Sequence, residues 1–470
     1  MTAPRCTHYD IAVTIEPEEV HPAHTLYGGT IDVDCTVTLE NSTKEPIDSV
    51  PFMLYRLLEA EKVTDASGRP LAFRQTIVAL EKEPRQQVNC VVATLATPLP
   101  AGGTAVLRIE YNGPICGYPE VFPYVRDHVS REFTLLRTDV LWFPVVGCPV
   151  RGWPDYPTDF RVSVAVPADM TAVANGDLVG STSEGSRVCF EWRSTQPDPY
   201  GRITVACAPF RQMAIAPYVS LYHLPGHEVE GEVVAKAVKR TLALGRAWLG
   251  LLPVSRLKFL EVPPGYGSEA SPGVVMLAPD GFKAQGPDDP LAYRIALALV
   301  GHETIHQWNV PSREEYRSRF LDEGITHYLQ ALLLQEEFGD EAYWQEMESY
   351  RTHFLSAGDK AMSVPLSEAG QHPEVTEEIA RGKGPWLVCV LHHLIGKRLL
   401  TALRTFFERY RAQGATLKDF EAVIVENSPI DLSRFFREWL WGTASSEYLS
   451  GTAGGRELVE DLVRRYTRPN

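Results

Sequence analysis

The sequence has no long hydrophobic run and no leader-like start. Its 470 residues contain no stretch of 18 or more apolar residues, so we expect no transmembrane helix. The first ten residues, MTAPRCTHYD, lack the apolar core that a secretory signal requires. The eight cysteines are scattered and form no CxxC pair, which is typical of reduced, mostly buried thiols. Together these absences predict a cytoplasmic protein.

Basic residues are also few. The chain has 45 Lys and Arg against 60 Asp and Glu, giving a net charge of −15 and a pI of about 5.4. Binding to nucleic acid or to an anionic membrane requires clustered Lys and Arg, so we expect neither as a partner. The apolar fraction of 44% is ordinary for a globular protein. At about 100–200 residues per domain, the length predicts roughly two to four domains.

The spacing of apolar residues changes near residue 215. Before it, short alternating runs such as YDIAVTIEP and FRVSVAVPAD lie between Gly, Pro, Asn and Asp, which is typical of a mostly antiparallel β domain. Beyond about residue 228 the period becomes helical, interrupted by a predicted short strand pair in RLKFLEVPP and SPGVVMLAP. We therefore predict an α+β multidomain protein, with a β domain at 1–214, a mainly α domain at 215–443, and a short linker and C-terminal helix at 444–470. Trp386, Trp439 and Trp441 are predicted to lie in the core.

The residues suited to catalysis are concentrated in the segment ALALVGHETIHQWNV. His302 and His306 stand four residues apart, so on a helix both imidazoles face the same side and reach one ion. Glu303 projects beside them, where it can act on a metal-bound water without being a ligand, as the HExxH motif requires. The apolar residues before the motif and Trp308 after it indicate a buried helix. Unpaired histidines there would be costly without a metal.

A catalytic zinc ion usually has three protein ligands, so a third must come from elsewhere. The metzincin pattern is excluded, because Asn309 and Ser312 occupy its glycine and third-histidine positions. The next predicted helix, FLDEGITHYLQALLLQEEFG, carries Glu323 in its first turn, which predicts a His₂Glu site that binds one Zn²⁺ per chain. Asp322 and His327 are the local alternatives. Asp322 would point away from the Glu323 face, and His327 could contact a ligand rather than the metal.

These segments resemble the aminopeptidase N family of gluzincins, which includes the leukotriene hydrolase type. HETIHQW followed by FLDEGITHYL is similar to the family pattern HExxHxW…WLNEGFAxYL, and YGSEASPGVVML is similar to its substrate loop. The resemblance implies a saddle-shaped β domain, a thermolysin-like catalytic domain, and removal of N-terminal residues from peptides with a free N-terminus. It also implies that Glu269 binds the α-amine, while Gly267, Ser268 and Ala270 offer backbone groups to the peptide.

The chain departs from the family pattern in three ways. Sixteen residues (307–322) separate His306 from Glu323 where the family has eighteen, and no large C-terminal helical domain follows. The family's catalytic tyrosine is matched by Arg381 in IARGKGPWLVCVL. Arg381 could donate to the developing oxyanion in its place, or Tyr266 or Tyr350 could do so. Alternatively, the protein could be a zinc-containing peptide-binding protein with weak or no turnover.

Overall fold

The structure, a computed structural model, describes residues 3–18, 28–79, 87–116, 127–147, 157–195 and 201–468. The chain divides into two compact units, Met1–Glu228 with Val254–Pro279 and Val229–Pro253 with Asp280–Asn470. The first division therefore falls at Glu228 rather than near residue 214. The predicted strand pair belongs with the first unit because the strand Leu257–Glu261 pairs in parallel with Val219–His223.

The first unit consists almost entirely of β-strands. Its largest sheet has seven strands in the order β12-β13-β10-β1-β2-β7-β4, and three further sheets have the orders β5-β6-β3-β9, β11-β14-β8 and β15-β16-β17-β19-β18. In chain order the strands are β1 (Arg5–Glu16), β2 (Thr30–Glu40), β3 (Ile47–Leu54), β4 (Glu59–Asp65), β5 (Phe73–Ala79), β6 (Gln87–Leu99), β7 (Thr104–Pro114), β8 (Thr134–Leu136), β9 (Val145–Val146), β10 (Asp159–Pro167), β11 (Thr171–Ala174), β12 (Asp177–Glu184), β13 (Arg187–Arg193), β14 (Val205–Ala208), β15 (Arg211–Ala216), β16 (Val219–His223), β17 (Leu257–Glu261), β18 (Glu269–Ser271) and β19 (Val274–Leu277).

Side chains in the seven-stranded sheet alternate between a buried and a more exposed face. Ile11, Val13 and Ile15 of β1 are buried, and the antiparallel partner β2 places Val33 and Cys35 beside them. The alternation follows from the two-residue period of a strand, which sends every second side chain to the core. The neighbouring pairs of this sheet are antiparallel apart from β1 and β10, so the predicted antiparallel β domain is confirmed.

The second unit is helical. Its helices are α1 (Glu228–Leu249, whose first residue lies in the first unit), α2 (Pro290–Ile305), α3 (Ile325–Phe338), α4 (Asp340–Ser356), α5 (Gly358–Met362), α6 (Thr376–Glu378), α7 (Gly384–Ile395), α8 (Arg398–Tyr410), α9 (Leu417–Glu426), α10 (Ser433–Trp439), α11 (Ala444–Ser450) and α12 (Gly455–Thr467). Two π-helical turns, Phe320–Gly324 and Ile379–Lys383, directly precede α3 and α7. Among the described residues, no helix is both long and apolar enough to cross a membrane.

Helix α2 is fixed at both ends and along its length. Asp289 caps it by accepting hydrogen bonds from the backbone N–H groups of residues 291 and 292, and Pro290 follows at the first helical position. After α2, Trp308 is buried, and its indole N–H donates to the carbonyl of Leu251. Midway, a Cβ on Gly301 would lie 2.6 Å from the side chain of Leu333. A side chain at residue 301 would therefore require Leu333 to shift.

The segment GTASSEYLSGTAGG, predicted as a flexible connection, contains α11 and is held in place by Arg351. This buried guanidinium donates to the carbonyls of Leu449 at 2.6 Å, Ala453 at 2.7 Å and Gly451. The small residues favoured a flexible linker, but they also let the backbone approach the arginine closely. The predicted linker is thus an ordered part of the second unit, followed by the predicted terminal helix α12.

Two of the three tryptophans predicted to be buried are core residues. Trp386 and Trp439 are fully buried. Trp441 is 36% exposed, and its indole N–H donates to Glu421 at 2.7 Å, so this prediction was wrong. Trp441 lies just beyond the end of α10, where the helical spacing that predicted its burial no longer applies.

The cysteines in the described part of the chain are not joined in disulfide bonds. Cys189 is partly exposed and the others are buried, as predicted for reduced cysteines: Cys6, Cys35, Cys90, Cys116, Cys207 and Cys389. Cys148 lies outside the described residues.

Candidate metal centre

The two histidines of the HExxH motif meet at the end of α2. His302 lies in the last turn of the helix, and His306 begins the 3₁₀ turn that follows it. Their Nε2 atoms are 3.1 Å apart, and the two side chains are only 13% and 15% exposed. The spacing of four residues therefore brings both imidazoles to one side, as predicted from the sequence.

The carboxylate of Glu323 completes the predicted set of three donors. It belongs to the π-helical turn before α3 and is buried. Glu323 Oε2 is 3.4 Å from His302 Nε2, and Glu323 Oε1 is 4.0 Å from His306 Nε2. Zinc bonds of about 2.0–2.1 Å in a tetrahedral site would place neighbouring ligand atoms about 3.3 Å apart. The separations of 3.1 and 3.4 Å are close to this value, whereas the 4.0 Å separation, to the other carboxylate oxygen, is wider.

Both histidines are also engaged through their other ring nitrogen. His302 Nδ1 lies 3.0 Å from Gln330 Oε1, and Gln330 in turn donates to Glu346 at 2.9 Å. His306 Nδ1 lies 2.6 Å from the side-chain amide of Asn309, whose Oδ1 has no hydrogen-bond partner in the described part of the chain. Turning that amide over would let His306 Nδ1–H donate to the oxygen. Such contacts leave Nε2 of each ring available to a metal.

The ionisable groups among the donors shift one another's pKa values. Burial lowers the pKa of His306 to about 3, and the neighbouring His302 adds to this effect. Burial also acts to lower the pKa of His302, but Glu323 and Glu303 outweigh it, so that this pKa is raised. Burial acts to raise the pKa of Glu323, yet the histidines and Arg319 hold it well below its usual range. An ionised carboxylate beside buried imidazoles is the combination that a divalent transition metal neutralises.

Glu303 lies directly after His302 on α2. Its side chain is buried, with 7% of the residue exposed, and its charge acts on His302. A buried carboxylate directly beside a donor residue is a candidate for a general base, and this role of Glu303 stays a prediction.

The Oε1 atom of Glu323 lies beside two arginines, which also pair with a second glutamate, Glu377. Arg319 donates to Glu323 Oε1 and to Glu377 Oε1, both at 2.5 Å. Arg381 Nη2 lies 3.4 Å from Glu323 Oε1, and Arg381 Nε lies 2.8 Å from Glu377 Oε2. Arg381 is therefore close to Glu323, and its role at the oxyanion stays a prediction. Arg319 was missed, although its position four residues before Glu323 is a helical salt-bridge spacing.

The other residues considered from the sequence occupy different surroundings. Tyr350 donates its hydroxyl to the backbone carbonyl of His327 at 3.2 Å, and Tyr266 packs its ring on Phe133 in the first unit. Asp322, predicted to point away from the Glu323 face, accepts a hydrogen bond from Arg319 at 3.4 Å. His327 lies one helical turn after Glu323, and His302, Glu323 and His327 each offer a donor atom within 4.8 Å of the other two.

In the first unit, Glu269 forms part of an ion-paired cluster. Arg137 donates to Glu269 and also makes two bonds, of 3.0 and 3.1 Å, to the fully buried carboxylate of Asp127. Burial raises the pKa of Asp127 to about 6, even though Arg137 acts to lower it. The pairing of Glu269 with a cation was not predicted, because its partner lies 132 residues away in the chain.

The neighbours of Glu269 lie on a short hairpin. Glu269 and Ala270 belong to β18, which is antiparallel to β19. Ser268 accepts a hydrogen bond from the backbone N–H of Ala278 at 2.9 Å, which ties the loop back onto the sheet. Around Gly267, a Cβ would meet no atom within 4 Å. The loop is therefore anchored at Ser268 and open at Gly267.

An HExxH helix followed by a helix that brings a glutamate to the two histidines defines the gluzincin class of metal-binding proteins. Residues 289–439 match the Peptidase family M1 domain. The predicted family and fold class are thereby confirmed, and the donor set fits the zinc ion of that family.

Several known proteins are similar to this chain. Aminopeptidase M1-D of Oryza sativa subsp. japonica is 20% identical over 377 residues, which are 75% of this chain and 42% of that protein. Aminopeptidase N of Acetobacter pasteurianus is 26% identical over 46% of this chain and 64% of its own length. The chain thus spans less than half of the rice protein. A mutant M1 zinc metallopeptidase from Deinococcus radiodurans superposes with a TM-score of 0.67 at 17% identity, covering 93% of this chain and 94% of its own.

Proposed function

We propose that this protein is a zinc-dependent aminopeptidase, which hydrolyses the first peptide bond of peptides with a free N-terminus. The observation that carries the proposal is the convergence of His302, His306 and Glu323 beside the buried carboxylate of Glu303. The names of the aminopeptidases from rice and Acetobacter support a peptide substrate. So does the solved Deinococcus radiodurans M1 zinc metallopeptidase mutant bound to a Tyr-Ser-Ala substrate.

The chemistry divides between a metal and the chain's own side chains. Held by His302, His306 and Glu323, a zinc ion supplies Lewis-acid chemistry, which polarises a carbonyl and lowers the pKa of water. Glu303 removes a proton as the water oxygen bonds to the carbonyl carbon, and it returns the proton to the nitrogen when the C–N bond breaks. One water molecule is consumed, and the products are a free amino acid and a shortened peptide.

Arg381 is the proposed donor to the oxygen on which negative charge develops. Its guanidinium stands beside Glu323, at the position that matches the family's tyrosine. A charged donor forms a stronger hydrogen bond with an oxyanion than a neutral hydroxyl does. The ion pair with Glu377 holds the planar group in one orientation, which reduces the reorganisation needed when charge develops.

Glu269 is the proposed contact for the substrate ammonium. Among the described residues, the carboxylates of Glu269 and Asp127 share one guanidinium, that of Arg137. When both carboxylates are ionised, an excess negative charge remains, and a cationic α-amine would be attracted to it. Gly267, Ser268 and Ala270 lie in the same loop and are proposed to offer backbone groups to the peptide.

The decisive experiment replaces Glu303 with glutamine. The amide cannot accept the proton, so hydrolysis of an aminoacyl amide should fall by about 10²–10⁴-fold. Zinc content by elemental analysis should stay at one ion per chain, because Glu303 is not a proposed ligand. Glu341→Gln, at an exposed position on α4, is the matched control and should change neither value. Undiminished turnover in Glu303→Gln would contradict the proposed mechanism.

A second candidate function is peptide binding without effective turnover. It is favoured by the arginine at the tyrosine position and by the Arg319 guanidinium that already occupies Glu323 Oε1. A panel of aminoacyl amides at micromolar protein separates the two functions, since an aminopeptidase gives hydrolysis that a chelator abolishes. N-terminally acetylated substrates should be rejected, and their cleavage would instead indicate an endopeptidase.

A further inference from the structure

The two oxygens of Glu323 have different surroundings. Oε1 accepts a hydrogen bond from Arg319 at 2.5 Å and lies 3.4 Å from Arg381. Oε2 is buried and has no hydrogen-bond partner within the described ranges. A buried carboxylate oxygen without a partner is unfavourable, so Oε2 is the atom that a cation would satisfy.

Two imidazoles face this oxygen. His302 Nε2 is 3.4 Å from Glu323 Oε2, and His327 Nε2 is 3.6 Å from the same atom. His306 Nε2 completes the group through its 3.1 Å separation from His302 Nε2. Four donor atoms are therefore available, one more than the three ligands of an ordinary catalytic zinc site.

The ring nitrogens of His327 are not engaged in hydrogen bonds with the described residues. Both nitrogens are buried. The ring lies between those of His302 and Tyr350, with centroid distances of 4.5 and 4.9 Å. Its position four residues after Glu323 on α3 directs both side chains to the same side. A buried imidazole of this kind is expected to bind something, and a metal ligand needs only its lone pair.

We propose that His327 is a fourth protein ligand of the metal, an inference that rests on the zinc site of the proposed function. Around a bound metal, His302, His306, Glu323 and His327 would provide four protein ligands, the number that fills a tetrahedral coordination sphere. Structural zinc sites are closed in this way, whereas catalytic ones keep a position open for water. For water to bind at this centre, the zinc ion would have to accept a fifth ligand or His327 would have to dissociate. His327 would therefore limit the rate of peptide hydrolysis.

X-ray absorption of the zinc-loaded protein tests the proposal by counting imidazole ligands. The wild type should give three imidazoles and His327→Phe two, because phenylalanine keeps a ring between His302 and Tyr350 but has no donor. Zinc affinity, measured by competition with a chelator, should fall at least about tenfold in His327→Phe. His392→Phe is the matched control. It removes another largely buried imidazole, which contacts Tyr328, and should keep three imidazoles and unchanged affinity.

Two imidazoles in the wild type would overturn the proposal, and this measurement does not depend on how well any variant folds. An unchanged zinc affinity in a folded His327→Phe variant would overturn it as well. A different result would reject the proposed aminopeptidase function. Two imidazoles with chelator-sensitive hydrolysis reject the fourth ligand and keep the aminopeptidase, whereas three imidazoles without hydrolysis keep the ligand and reject the aminopeptidase.

Discussion

Lys383 gives a quantitative test of the electrostatics close to the candidate site. It ends the π-helical turn that contains Arg381 and is fully buried. Its ammonium has only long contacts, 3.5 Å to the carbonyl of Gly442 and 3.4 Å to the hydroxyl of Ser446. Burial lowers the pKa of Lys383 to about 7. In the unfolded chain the pKa returns to about 10.4.

This difference in pKa makes stability depend on pH with a known sign. Between pH 7 and pH 10 the unfolded state holds a proton on Lys383 that the folded state does not. Raising the pH therefore increases the free energy of unfolding, by about 1.4 kcal/mol per pH unit for a full proton. From pH 7 to pH 9 this contribution is at most about 2.7 kcal/mol. Lys383→Met keeps an apolar stem of similar length and removes the effect.

The assay is urea unfolding of wild type and Lys383→Met at pH 7, 8 and 9, followed by the helical circular dichroism signal. The advantage of Lys383→Met over the wild type should be largest at pH 7 and shrink by about 2–3 kcal/mol at pH 9. Lys397→Met, at an exposed position, should show no such trend. A difference between Lys383→Met and the wild type that stays constant with pH would refute the argument that the folded protein holds this lysine neutral.

Two further predictions concern arginines of the helical unit. Arg381→Ala should lower kcat by about 10²–10³-fold with little change in KM, because the lost donor acts on the transition state; an unchanged kcat would remove Arg381 from the mechanism. Arg351→Leu leaves three carbonyls of residues 449–453 without their charged donor and should cost about 3–5 kcal/mol in urea unfolding. Arg294→Leu, at a partly exposed arginine that donates to Gln345, is its control and should change stability little.

The features that could be predicted from the sequence are those that local geometry determines. The helical period places His302 and His306 on one side of α2, and the next apolar helix needs only a short connection to bring Glu323 to them. The alternation of apolar residues likewise determined the strands of the first unit. These patterns repeat every two or every three to four residues, so they can be recognised without knowing what packs against them.

The features that could not be predicted depend on partners distant in the chain or on unusual backbone conformation. Arg137 meets Glu269 across 132 residues, and Arg351 meets Leu449 across 98. Arg319 adopts a left-handed φ of 59° and leads into a π-helical turn, a conformation that composition does not reveal. His327 was expected only to contact a ligand, because counting donors from sequence stops at the usual three.

The arginine at the tyrosine position changes the charge balance of the whole centre. A tyrosine hydroxyl is neutral beside a zinc ion, whereas a guanidinium adds a positive charge to a site that already contains Arg319. Glu377 offsets that charge, since it lies 2.8 Å from Arg381 Nε and 2.5 Å from Arg319 Nη1. The formal charges of the two arginines therefore balance those of Glu323 and Glu377 before a metal binds. The charges of Arg381 and Glu377 therefore depend on each other, and a substitution at either position has to be interpreted with the other.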